Sequence, residues 1–147
     1  MNVHRENDGT YVVSLMRGDL LRESIEGLAV RENIVAAQLS AIGAVEDPEL
    51  GCYLLEKKEY LRRTFPGILE LVSLQGNLTL KDGRPFLHAH IAVSGEDFVV
   101  FGGHLFEAKA GVVVELFIRP LSTPLPRILC EEIGLARWEP GGTEPKT

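Results

Sequence analysis

The chain has two cysteines in 147 residues, Cys52 and Cys130. They stand far apart inside apolar stretches and lack a CxxC spacing, so two buried thiols in a reducing compartment are expected. No apolar run approaches the roughly eighteen residues of a membrane-spanning helix, and no N-terminal segment joins a basic flank to an apolar stretch. A soluble, cytoplasmic protein without a membrane partner is therefore the expectation. Positive charge is also scarce: 15 Lys and Arg against 21 Asp and Glu leave a net charge of −6. Nucleic-acid binders draw most of their affinity from neutralising phosphates. The basic clusters here, Lys57-Lys58 and Arg62-Arg63, are interleaved with Glu56 and Glu59 as on a solvated face. Nucleic acid is not an expected partner. Internal repeats, a nucleotide-binding glycine-rich loop, a Ser–His–Asp arrangement and a cysteine nucleophile with a base beside it are all missing.

What is present is ordinary globular composition, 45% hydrophobic and 24% charged, in a length that suits one domain with a single sizeable core. Tyr11 to Met16 has the β-branched and aromatic content of a strand. Asp19 can cap a helix running to about Glu32, with Leu21, Ile25, Leu28 and Ala29 on its apolar face. Strands are then expected at 36–45, 50–55, 59–65, 68–75, 78–81, 86–93, 98–107 and 112–118, with turns at Pro66-Gly67, Gly76-Asn77 and Lys81-Asp82-Gly83. Pro120, Pro124 and Pro126 make the next segment an irregular arm, which returns as a short strand near 135–138. The expectation is a single α+β domain over 1–138, mostly antiparallel β-sheet with one major α-helix packed on it, followed by a disordered tail over 139–147.

Three of the four histidines fall in "HAHIAVSGEDFVVFGGH", residues 88–104. Strand side chains alternate between faces. From 86 to 93 one face carries Leu87, Ala89, Ile91 and Val93, and the other carries His88 and His90. Two imidazoles about 7 Å apart at their Cα atoms can converge on one ion with bonds of about 2 Å. A three-residue loop, 95–97, would pair His88 with His104 and set Gly102 opposite His90. A two- or four-residue loop would put His104 on the wrong face unless a bulge at Gly102-Gly103 corrected it. The expected arrangement gathers His88, His90 and His104 around one divalent metal ion. Zn²⁺ suits three neutral imidazoles and an open fourth position best, with Ni²⁺, Co²⁺ and Cu²⁺ as alternatives. Glu70 interrupts the row Ile68, Val72, Leu74, and Glu115 interrupts Val113 and Phe117. Each carboxylate needs a partner: an arginine, or a ligand histidine that it would orient from behind.

The stretch "GILELVSLQGNLTLKDGRPFLHAHIAVSGEDFVVFGGHLFEA" resembles the core of the PPC domain, the plants-and-prokaryotes-conserved domain, in its stand-alone prokaryotic form. The marks are "SLQG" closing a strand, then "DGRP", the "HxH" strand, and "GGHL" before a glutamate. The likeness extends more weakly over the whole chain, including "GDL" before the helix and "IGA" after it. The resemblance implies an α+β domain with one major helix, usually a homotrimer. It also implies that His88, His90 and His104 match histidines associated with a bound metal in some prokaryotic members. Plant members read "GRFEIL" where this chain reads "GILELV", which keeps Gly67 and Glu70 but has Ile68 in the arginine's place, so plant protein partners are not carried over. There is no AT-hook: "GRP" at 83–85 sits in a turn with one arginine and no basic flank. The family's frequent DNA-binding label is accordingly not carried over.

Three functions are weighed. A small oligomeric metal-binding module, regulatory or interacting and without chemistry of its own, ranks first; apolar residues on both faces of strands such as "VVVELFI" call for a subunit interface. A metal-dependent enzyme acting on a small molecule ranks second, with Glu70 or Glu115 as the general base. A cupin would be its specific form, but the spacing from His90 to Glu96 is too long. DNA binding ranks last.

Overall fold

Three strands carry the architecture, and each is longer than its sequence suggests. The computed structural model describes residues 1–139. In it β3 spans Ala37–Leu54, β5 spans Ile68–Lys81 and β7 spans Val100–Pro120. On sequence alone each divides in two, because its punctuating residues read as turns. In β3, Asp47-Pro48 is absorbed by register shifts between Glu46 and Leu50, with Asp47 at φ 49°; proline is tolerated in strands at such bulges. In β5, Gly76 is paired on both sides, with Leu39 and with Ala89. A Cβ there would lie 2.9 Å from the Cβ of Ala89, so this glycine answers a close approach of strands and makes no turn.

The remaining elements are β1 (Asn2–Arg5), β2 (Tyr11–Met16), α1 (Leu21–Arg31), β4 (Glu59–Thr64), β6 (Arg84–Ser94), β8 (Arg127–Cys130) and β9 (Leu135–Trp138). The fold is α+β, mostly antiparallel sheet with one helix among the described residues. The main sheet runs β1-β2-β7-β6-β5-β3-β4, and β3 also pairs with β7. The pairings β7–β6, β6–β5, β5–β3 and β3–β7 thus close a ring, which leaves β1 and β4 as the edges of this sheet among the described residues. β8 and β9 form a separate hairpin where only the second strand was expected. β1 was not expected at all, since the first strand expected began at Tyr11; His4 lies in β1 opposite Val12. The expected disordered tail falls, apart from Glu139, outside the described residues. No helix among the described residues is long and apolar enough to cross a membrane.

Inside the ring lie Leu39, Leu74, Leu87, Leu105, Leu116 and the helix face. Leu21, Ile25, Leu28 and Ala29 are buried there, as the helical spacing requires. The cap differs from expectation. Leu20 is the N-cap and makes no side-chain bond, while the Asp19 carboxylate accepts from the Met16 N–H and pairs with the N-terminal ammonium at 2.7 Å. The helix N–H groups are met instead by Glu107 of β7, which accepts from the Arg22 N–H at 2.8 Å and the Glu23 N–H at 3.3 Å. An acidic side chain from a distant strand thereby satisfies the positive end of the helix. Glu107→Ala is expected to cost about 1–2 kcal/mol of stability. Urea denaturation checks this through a lowered midpoint at constant slope.

Neither cysteine is buried as expected: Cys52 is exposed and Cys130 half-buried, both as free thiols. Cys52 pairs with Leu61, itself 62% exposed, on the outward face of the β3–β4 ribbon. That ribbon extends past the ring, so an apolar sequence there has no second layer to bury it.

Candidate metal centre

The alternation along β6 is as the sequence implies. Leu87, Ala89, Ile91 and Val93 are buried in the core, and His88 and His90 project from the other face. The hairpin to β7 is not as expected. Ser94 pairs with Val100 and His90 with His104, so five residues, 95–99, make the loop. Within it the Phe98 N–H donates to the Gly95 carbonyl at 3.1 Å, and the Asp97 carboxylate accepts from the Val99 N–H. Relative to the expected register the strand has slipped by two positions. A two-residue slip preserves side-chain parity, so His104 stays on the histidine face. Gly102 lies opposite Ala92 and not opposite His90, and a Cβ on it would stand 2.1 Å from the Ile91 carbonyl oxygen. Its neighbour Gly103 comes close to β3, with a Cβ position 2.8 Å from the Gly51 carbonyl oxygen. The glycine pair therefore lets β7 be clasped between β6 and β3 directly before His104.

The three imidazoles gather. Ring centroids are 5.4 Å apart for His88–His90, 5.3 Å for His88–His104 and 5.5 Å for His90–His104. One nitrogen from each lies within 4.8 Å of the other two. Ligand nitrogens at about 2.1 Å from one ion stand about 3.4 Å apart in a tetrahedral shell, so modest ring rotations complete the approach. His104 is only 7% exposed, and its buried Nδ1 has no hydrogen-bond partner. Buried polar atoms without partners are rare in folded proteins, and an unpartnered nitrogen on a buried imidazole packed beside two others fits a metal ligand.

Burial also favours the neutral form of His88 and His104. Desolvation, reinforced by His88, His90, Arg22 and Arg62, lowers the pKa of His104 to about 4. Desolvation and then Arg127 and His90 lower that of His88. Neutral imidazole is the metal-binding form. In metal-free protein the same shift links stability to pH. His104 titrates near 6.5 when unfolded and near 4 when folded. Its contribution is thus fully present above pH ~6.5 and is lost as pH falls toward ~4. EDTA-treated protein is expected to lose about 1–2 kcal/mol between pH 7.5 and 5, allowing for partial solvent screening. Chemical denaturation at the two pH values measures it, and His104→Gln should flatten the dependence.

One side of the site is walled by aromatics that the sequence did not single out. Tyr60 of β4 stacks on His104 at 4.8 Å, and Phe106 meets it edge-on at 5.0 Å. Arg62 lies over Phe106 at 3.8 Å. Gly51 makes the room: a Cβ there would stand 2.5 Å from Phe106 and 2.8 Å from Tyr60. On the other side a polar row continues across the sheet, Gln75 opposite His90 and Asn77 opposite His88, with Gln38 beyond Asn77. Its signal was legible as Gln75-x-Asn77, the same period of two as His88-x-His90.

Glu70 and Glu115 take neither expected role. Both are exposed, and among the described residues neither forms an ion pair with an arginine or a hydrogen bond to a histidine. A bulge between Leu71 and Ser73 changes the pleat of β5, so Ile68, Glu70 and Val72 face outward while Leu71 and Leu74 face the core. In β7 the buried row is Val114, Leu116 and Ile118, which leaves Val113, Glu115 and Phe117 on the outer face. Neither glutamate interrupts a core row.

The family model of the Plants and Prokaryotes Conserved (PCC) domain matches residues 4–122. A plant- and prokaryote-conserved (PPC) protein of Pyrococcus horikoshii is 36% identical, with 99% of this chain and 96% of that one covered and a TM-score of 0.83. A metal-containing protein of Archaeoglobus fulgidus is also 36% identical, over 95% and 99% of the two chains, with a TM-score of 0.85. A protein of Ralstonia eutropha named as a candidate DNA-binding protein is 27% identical, over 93% and 94%, with a TM-score of 0.87. Comparison with curated proteins finds no match.

Proposed function

We propose, from the premise that the chain belongs to the Plants and Prokaryotes Conserved domain family, that it is a small homo-oligomeric module holding one divalent metal ion on His88, His90 and His104. The observation that carries this reading is the buried, unpartnered Nδ1 of His104 beside two further imidazoles. Zn²⁺ suits the donor set best, since it accepts three imidazoles and keeps a fourth position open. The metal content of the Archaeoglobus fulgidus relative, 36% identical, supports the same reading. A binding or regulatory role ranks ahead of an enzymatic one because Glu70 and Glu115, the bases an enzyme would draw on, are exposed on the outer sheet face and neither joins the cluster of three histidines. The net charge of −6 weighs against adopting DNA binding from the Ralstonia eutropha relative.

The assembly we propose is a homotrimer. Ile42 is 59% exposed, Phe117 57% and Met16 48%, neighbours on the outer sheet face around Glu115. Apolar residues grouped in this way mark an interaction surface. One experiment tests both parts: untagged protein is analysed for metal and sized by light scattering. One equivalent of metal per chain and a mass near three times 16.2 kDa are expected. A metal-free monomer that does not take up added Zn²⁺ would sink the reading.

A further inference from the structure

Next to His88 and His90 lies a cavity of about 490 Å³, within the range of small-molecule sites. Its polar lining consists of the carboxamides of Gln38, Gln75 and Asn77 and the two imidazoles, and its apolar lining includes Leu121 and Trp138. No carboxylate is among its lining residues, although the chain carries 21 acidic side chains. Behind Asn77 stands Arg127, half-buried, donating to the Asn77 Oδ1 and the Thr79 Oγ1 at 2.7 Å each and to the Ala136 carbonyl at 3.1 Å. These acceptors are all neutral, so no carboxylate among the described residues cancels the guanidinium charge. Because Asn77 gives its oxygen to Arg127, its NH₂ group is the half left to face a ligand. Gln75 makes no side-chain hydrogen bond among the described residues and is free to donate as well. Tyr60 and Phe106 close the His104 side of the cluster, which leaves the His88–His90 side, where the cavity lies, as the approach to an ion's open position.

We propose that this cavity binds a small carboxylate with a planar apolar body. The carboxylate is held by the amide donors of Gln75 and Asn77 in the field of Arg127, and the body lies against Trp138 and Leu121. Amide donors and an uncancelled guanidinium select negative charge, and an indole wall selects a flat apolar group. The inference rests on the metal reading only in that a cation on the three histidines would add its charge to the same site.

Trp138 is the chain's single tryptophan, so its fluorescence reports on this cavity alone. The test titrates Zn²⁺-loaded protein with benzoate and, in parallel, with benzamide, reading both fluorescence and calorimetric heat. Benzoate is expected to bind saturably and at least about tenfold more tightly than benzamide. Gln75→Ala is expected to weaken benzoate about tenfold without changing Zn²⁺ affinity, because Gln75 is not a ligand. Equal binding of the two probes, or benzoate binding insensitive to Gln75→Ala, would overturn the proposal. Zn²⁺ uptake at one equivalent with no benzoate heat would overturn it and leave the metal reading standing. If Zn²⁺ itself failed to bind, the metal reading would fall, and benzoate titration of the metal-free protein would decide the cavity alone: saturable, Gln75-dependent binding supports it, and silence in both readouts ends it.

Discussion

His104→Ala is expected to lower Zn²⁺ affinity by more than the roughly hundredfold that loss of a partner behind a ligand can cost, because it removes a ligand itself. His88→Ala and His90→Ala should do the same. His4→Ala should have no effect, since His4 lies in β1 with its side chain exposed beside Glu6. The three variants separate on a second axis. The His104 ring is buried against Tyr60 and Phe106, so its removal also opens a void and lowers the stability of metal-free protein. His90 is exposed, and its loss should leave that stability unchanged. Metal titration followed by urea denaturation of each variant in EDTA reads both axes. Unchanged affinity in all three would reduce the cluster to polar decoration of a sheet.

A methyl group at Gly102 is the second large effect. Its Cβ would stand 2.1 Å from the Ile91 carbonyl oxygen, 3.1 Å from the Ile91 carbonyl carbon and 3.2 Å from the Ala92 Cα. All three atoms are backbone, so no rotamer change relieves the clash; the β6 and β7 strands must separate. Separation there moves His104 from His90, its direct partner. Gly102→Ala is therefore expected to cost upward of about 3 kcal/mol, a large share of a small domain's stability, and to impair metal binding with it. Gly83→Ala is the control. Gly83 has φ +74° with nothing near its Cβ position, so only the left-handed backbone is penalised, at about 1–2 kcal/mol. Thermal melts of the two variants check the contrast, and equal losses would mean that β6 and β7 yield without strain.

The helix, the inward row of β6 and the shared face of His88 and His90 were legible because each rests on local periodicity. Leu21, Ile25, Leu28 and Ala29 repeat at helical spacing, and His88 and His90 share a strand parity that His104 joins because the register slip is even. What was not legible depends on contacts between distant segments. Gly76 carries the signature of a turn, yet it is selected by the approach of Ala89. Asp19 carries the signature of a cap, yet Glu107, more than eighty positions along the chain, does the capping. Tyr60 flanks His104 only because β4 is laid beside the site by its pairing with β3. The outward direction of Glu70 turns on a bulge that no periodicity announces.

The closure of β3 on β7 also implies an order of events in folding. The hairpin of β6 and β7 is local, with only residues 95–99 between its strands, and hairpins of this kind form in about 1–10 μs. Pairing Ala37 with Pro120 joins residues 83 positions apart in the chain, and contacts of such sequence separation are slow to form. All three histidines lie on the early hairpin, so on the metal reading a cation would find its ligands assembled while the ring is still open. On the metal reading proposed above, an ion captured at that stage would stabilise the hairpin as well as the closed ring, and ion availability would then bear on the folding rate as well as on the endpoint.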